Sequence, residues 1–101
     1  MTPSDPPGFN ALIHAPQRLR ICAALLPVRE IEFSALRDGL AVADSVLSKH
    51  LRVLDEAGYI RLSKPTGRGR ARTWVSITAS GRTAVLKHLD ALRAMLGDVG
   101  A

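Results

Sequence analysis

The chain has 101 residues, enough for one domain with a modest core and too few for a two-domain enzyme. Apolar residues make up 47% of it, which excludes a disordered chain. Fourteen Lys and Arg against nine Asp and Glu leave a net charge of +5, a surplus that points to a polyanionic partner.

The positive charge is concentrated: from Arg61 to Arg82 inclusive there are six basic residues and no carboxylate. Cys22 is the only cysteine, so neither an intrachain disulfide nor a thiolate zinc cluster can form, and a reducing compartment is expected. No apolar run of about 18 residues indicates a membrane span, and no basic start followed by an apolar stretch indicates a signal peptide. A cytoplasmic protein that does not engage the membrane is the expectation.

In chain order, "MTPSDPPG" is rich in proline and offers almost nothing to bury, so residues 1–8 are predicted to be a disordered or loosely attached arm. A domain over 9–97 and a short tail over 98–101 complete the organisation. Phe9, Leu12 and Ile13 form an apolar lead-in. Pro16 suits the first turn of a helix in which Leu19, Cys22, Ala23 and Leu26 recur at three- and four-residue spacing, and Pro27 ends it. Ile31 and Phe33 alternate as a short strand, and Ser34 is the expected N-cap of a small helix running to Leu40. The next helix, predicted over 43–57, carries Leu47, Leu51 and Leu54 on one stripe, and Gly58 supplies the left-handed stop. Ile60 and Leu62, then Thr73, Val75 and Ile77, read as two strands around a glycine-containing basic loop, a β-hairpin over 60–77. Thr78 and Ser80 are candidate caps for a last helix.

Two closely spaced helices followed by a basic hairpin make a winged helix-turn-helix arrangement. A major groove admits one helix, which must bury one face in its domain and offer polar groups from the other. At about 100° per residue, Leu51 and Leu54 fall near Leu47 while Ser45, Lys49 and Arg52 lie on the far side. That outward face of hydroxyls and cations suits phosphates and guanine edges. Lys64, Arg68, Arg70 and Arg72 on the hairpin suit the backbone or a narrow minor groove.

"LIHAPQRLRICAAL", "LSKHLRVLDEAGYI", "RTWVSIT" and "TASGRTAV" together resemble, in order, the winged-helix transcriptional regulators grouped near MarR and ArsR, over residues 11–96. The resemblance implies a mostly α, α+β winged helix-turn-helix fold with a two- or three-stranded wing and a C-terminal dimerisation helix. It implies a bacterial or archaeal transcription factor that binds an inverted repeat in double-stranded DNA as a homodimer, a repressor by expectation. Carried over by residue, recognition falls on Asp44, Ser45, Ser48, Lys49 and Arg52, and the wing contacts on Lys64, Arg68, Arg70 and Arg72. Two departures stand out. Ala43 replaces the usual Ser or Thr cap, leaving Asp44 as the candidate cap, and Val46 stands where a polar base-contacting residue is usual.

His50 beside the apolar stripe is expected to be packed and hydrogen-bonded, and Cys22 to be an inert core residue. His14, His50 and His88 share no ligand-like spacing, and the cysteine metal motif of many ArsR relatives is missing, so no metal or cofactor site is expected, and nothing in the sequence marks a pocket for a small-molecule effector. Val85, Leu89, Leu92 and Leu96 repeat at a/d spacing and are the expected homodimer seam. The competing reading is a winged-helix protein-interaction module without DNA binding, whose recognition face and wing would be neutral or acidic. No nucleophile elbow, phosphate loop or paired carboxylates suggest an enzyme. RNA duplexes lack the wide major groove that a protruding helix requires.

Overall fold

The computed structural model describes residues 5–65 and 72–97. Five helices and three strands follow one another as α1 (Ala11–His14), α2 (Pro16–Leu25), β1 (Ile31–Glu32), α3 (Phe33–Leu40), α4 (Asp44–Glu56), β2 (Ile60–Ser63), β3 (Trp74–Ile77) and α5 (Ala79–Leu96). The sheet is antiparallel in the order β1-β3-β2, with Ile31 opposite Val75 and Leu62 opposite Val75 from the other side. The expected hairpin therefore gains β1 as a third strand, which fixes the wing's base to the helical body.

Local chemistry explains most boundaries. The apolar lead-in is itself a helical turn, α1, because the Asn10 side chain accepts from the Ile13 amide at its N-terminus. Pro16 opens α2, where its missing N–H has no partner to lose. The helix α3 starts two residues earlier than expected, with Glu32 rather than Ser34 at its N-cap. Ser34 lies inside it and donates to Glu32 Oε1 at 3.0 Å, while the Phe33 amide donates to the Thr73 carbonyl at 2.8 Å, so strand pairing continues to the first helical residue. After Leu40 the chain turns through Ala41, whose φ of 55° lies in the left-handed region. Gly58, at φ 79°, ends α4 as the sequence indicates.

The described part of the expected arm, residues 5–8, approaches α5 at Gly8. Gly8 lies so close to α5 that a Cβ there would stand 2.9 Å from the Lys87 carbonyl oxygen, and the Phe9 amide donates to the Pro6 carbonyl at 3.0 Å. Just after this turn Phe9 is half-buried and Ile13 fully buried.

The core is one cluster. Leu47, Leu51 and Leu54 of α4 join Ile13, Ile21, Cys22, Leu25, Leu36, Ile60, Val75 and Val85, all 2% exposed or less. Each fully buried Leu stabilises the fold by about 1.5–3 kcal/mol, which binds α4 firmly along one face and leaves the other free.

The "T-A-S-G" segment after the wing has a physical role. Thr78 Oγ1 accepts from the Gly81 amide at 2.9 Å, capping α5, and donates to the Gly58 carbonyl at 2.7 Å. The Thr78 amide donates to the Tyr59 carbonyl at 3.0 Å, and Gly81 rests directly on the Tyr59 backbone, where no side chain would fit. This contact sets the rotation of α5, whose buried face is Gly81, Val85, His88 and Ala91.

Candidate nucleic-acid interface

With Leu47, Leu51 and Leu54 inward, α4 turns Asp44, Ser45, Ser48, Lys49 and Arg52 to the exterior, all exposed. Val46 is 38% exposed on the same outer side, an apolar surface among hydroxyls and cations. The wing meets this face at a cleft of about 310 Å³, lined by Ser48, Arg52 and Asp55 of α4, by Lys64 and Thr73 beside the wing strands, and by Phe33. Two cations from separate elements, Arg52 and Lys64, thus border one concavity. Asp55 is the single carboxylate on its wall, one turn nearer the C-terminal end of α4.

The remaining wing cations divide. Arg68 and Arg70 lie outside the described residues. Arg72 is exposed, and its guanidinium sits 3.5 Å from Glu32 Oε2, while the other oxygen of Glu32 accepts the Ser34 hydroxyl. An exposed pair of this kind contributes about 0–1 kcal/mol, so Arg72 can exchange Glu32 for a phosphate at little cost.

Asp44 does not cap α4. Its carboxylate instead accepts from the Arg37 guanidinium at 2.9 Å, and no side-chain oxygen serves the first amides of the helix. Arg37 Nε also donates to Asp38 at 2.9 Å. These two bonds, that to Asp38 first, raise the guanidinium further above its ordinary range. Sequence reasoning missed Arg37. It precedes Asp44 by seven residues across a turn, a separation at which no periodicity rule pairs two side chains.

His50 is half-buried, with Nδ1 3.4 Å from Arg18 Nη1. Desolvation first, then the charges of Arg18 and Lys49, push its pKa below the ordinary value, so it is neutral at pH 7 and offers no charge to a phosphate. Arg18 also donates to the Leu12 carbonyl, joining α1 and α2 to α4. Cys22 is fully buried and burial pushes its thiol up to about 11, against the small opposing effect of Arg18. Such a thiol carries almost no thiolate at neutral pH and is inert.

The dimer seam read from a/d spacing is corrected at its first position. Val85 is 0% exposed in the chain's own core, because the seat of Gly81 on Tyr59 rotates α5 toward the body along that line. Leu89 packs against the core and Leu92 is half-buried, whereas Leu86, Met95 and Leu96 are 47%, 51% and 61% exposed. The apolar surface left open therefore lies along the outer side and far end of α5. The histidines are also closer than their spacing suggested: His14 Nδ1 and His88 Nε2 are 3.1 Å apart. Among the described residues no three His, Cys, Asp or Glu side chains gather as a metal site, and no helix is long and apolar enough to cross a membrane.

The family model of a winged helix DNA-binding domain matches residues 17–96. The chain belongs to this family. A transcriptional regulator homologue from Pyrococcus horikoshii OT3 is 31% identical and superposes with a TM-score of 0.84 over 89% of each chain. NolR from Sinorhizobium fredii is 25% identical, with a TM-score of 0.67 over 96% of this chain and 98% of its own. An uncharacterized protein of Methanocaldococcus jannaschii is 32% identical over 81 residues, 80% of this chain and 84% of its own. The winged helix-turn-helix architecture and the MarR/ArsR-like resemblance read from the sequence both hold, and they make the chain a DNA-binding domain of the transcriptional-regulator type.

Proposed function

We propose that this winged-helix domain is a homodimeric, sequence-specific regulator of transcription, acting as a repressor on an inverted-repeat operator in the cytoplasm of a bacterial or archaeal cell. The helix α4 lies in the major groove, where Ser45, Ser48, Lys49 and Arg52 face base edges and phosphates. The wing follows the neighbouring backbone, with Lys64, Arg68, Arg70 and Arg72 as its cations. The observation that carries this reading is the shared cleft: Ser48 and Arg52 of the helix and Lys64 of the wing line one concave surface. Charges from two elements on one side can follow a curved polyanion, whereas charges on opposite sides could not.

Dimerisation is supported by the open apolar side of α5, where Leu86, Met95 and Leu96 have no partner in the described part of the chain's own core. Pairing through this helix would present two copies of α4 about 34 Å apart, one turn of duplex, and so require a pseudo-palindromic operator. The protein-interaction reading is disfavoured because both the helix face and the wing are basic. Selection of bound duplexes from a random pool at physiological salt tests the proposal. Recovery of paired half-sites separated by one turn is the expected result, and recovery of no preferred sequence would refute it.

A further inference from the structure

The residues that line the cleft leave unused a polar cluster where α1 meets α5. His88 of α5 is 0% exposed, yet both its ring nitrogens are bonded. Its Nδ1 accepts from the Asn10 backbone amide at 3.0 Å, and its Nε2 meets Nδ1 of His14 at 3.1 Å, across 74 residues of sequence. The Phe9 ring closes the cluster, with its centroid 5.0 Å from both imidazoles. Asn10 donates through Nδ2 to the Tyr59 hydroxyl at 3.0 Å and caps α1 through Oδ1.

These bonds fix where the protons are. A backbone N–H can only donate, so His88 Nδ1 is an acceptor and the His88 proton is on Nε2. That N–H then donates to His14 Nδ1, which places the His14 proton on its exposed Nε2. The cluster holds two imidazole protons and has no position for a third. A proton added to His14 Nδ1 would face the His88 Nε2–H, and a proton added to His88 Nδ1 would face the Asn10 amide. Changing the His88 tautomer does not help, since it moves the same conflict to Asn10. One bond between α1 and α5 must break for each proton taken up.

We infer that His14 and His88 form a proton-binding latch that holds α1 on α5 while both rings are neutral and releases it when the pair takes up a further proton. Release reaches the recognition helix through α1. The Leu12 carbonyl of α1 receives Arg18 Nε, and the same guanidinium contacts His50 of α4. The neighbouring groups agree with the direction. Desolvation, then the facing His14, lowers the His88 pKa. The Tyr59 phenol reaches the cluster through Asn10, and Arg18 faces Leu12 and His50 rather than the histidine pair. A lowered folded-state value means the folded protein resists a proton that the unfolded chain accepts. The contribution of the latch is therefore complete above the ordinary histidine value of 6.5 and is lost as pH falls below it.

The coupling to DNA, though not the latch, rests on the regulator reading above. The test uses the full chain and His14→Gln, whose amide oxygen can still accept from His88 but does not titrate. Hydrogen exchange of the Asn10 amide, corrected for the intrinsic pH effect, reports the latch directly. Between pH 7.5 and pH 5.5 its protection should fall at least about tenfold in the wild type and stay within about twofold in His14→Gln, because the variant lacks the exposed imidazole that admits a proton to the pair and the buried His88 resists one. Equal loss in both, or no loss in either, would overturn the latch. Over the same interval at constant salt, duplex affinity should fall several-fold more in the wild type than in His14→Gln. Identical affinity ratios would overturn the coupling to α4. Protection that changes as expected in a chain binding no duplex at either pH would support the latch and refute the DNA-binding reading instead.

Discussion

Gly81→Ala tests the contact that orients α5. A methyl at this position would overlap the Tyr59 carbonyl oxygen outright and stand 2.7 Å from its carbon and 2.9 Å from its Cα, against about 3.3 Å for a tolerable contact. All three atoms are backbone, so no side-chain rotation relieves the overlap, and the first turn of α5 must retreat. Overpacking of this kind costs about 1–3 kcal/mol. Retreat also stretches the bond from the Thr78 amide to Tyr59, worth about 1 kcal/mol. Alanine returns about 1 kcal/mol through its better helix propensity. The net expectation is a loss of about 2 kcal/mol, or roughly 8–16 °C in Tm for a domain this size. Urea unfolding followed by the fluorescence of Trp74, the only tryptophan, measures it. Gly39→Ala is the control. It lies inside α3, and a Cβ there meets nothing within 4 Å, so the same substitution should stabilise by up to about 1 kcal/mol. A Gly81→Ala protein as stable as the wild type would refute the claim that this seat, rather than the a/d pattern, sets the rotation of the helix.

Three further outcomes are expected. Ala41 turns the chain between α3 and α4 at φ 55°, so Ala41→Gly should raise stability by about 1 kcal/mol in the same urea assay while leaving duplex affinity unchanged. Arg52→Ala should relax the preference among operator variants by about 1–3 kcal/mol at one base pair, whereas Lys64→Ala should weaken all duplexes alike and reduce the salt slope by about 1, both read from fluorescence anisotropy across a salt series. Leu96→Glu places a charge on the exposed end of α5 and should shift the sedimentation equilibrium toward monomer without lowering monomer stability by more than about 0.5 kcal/mol.

What the sequence made legible depended on the distance between cause and effect along the chain. The recognition helix was readable because burial repeats every three to four residues, and Leu47, Leu51 and Leu54 obey that rule within one element. Gly58 was readable because a helix stop is a local backbone requirement. Outcomes decided by closure of the chain were not. The a/d repeat in α5 correctly announced an amphipathic helix, but repeat spacing alone does not fix which side of the helix the body covers. That side is set where Gly81 meets the Tyr59 backbone, an encounter that follows from the wing's return path rather than from any spacing. Ser34 had the chemistry of a cap, and pairing between β1 and β3 overrode it by carrying the strand up to Phe33.

The same distinction explains why the polar side chains were harder to read than the apolar ones. An apolar residue needs only to be covered, and many neighbours will do. Asp44, His14 and His88 each need a particular atom at a particular distance, supplied by Arg37, by the partner histidine and by the Asn10 amide. Composition could mark all of them as charged or titratable but could not name the partner. Asp44 shows the consequence for function. As a free carboxylate on the outer face of α4 it would repel a phosphate, whereas paired with Arg37 it forms a nearly neutral couple that also holds the start of α4 against α3. A residue of the wrong sign for DNA is thereby compatible with a DNA-facing surface, because the charge that answers it lies on a neighbouring helix and follows from the fold rather than from the motif.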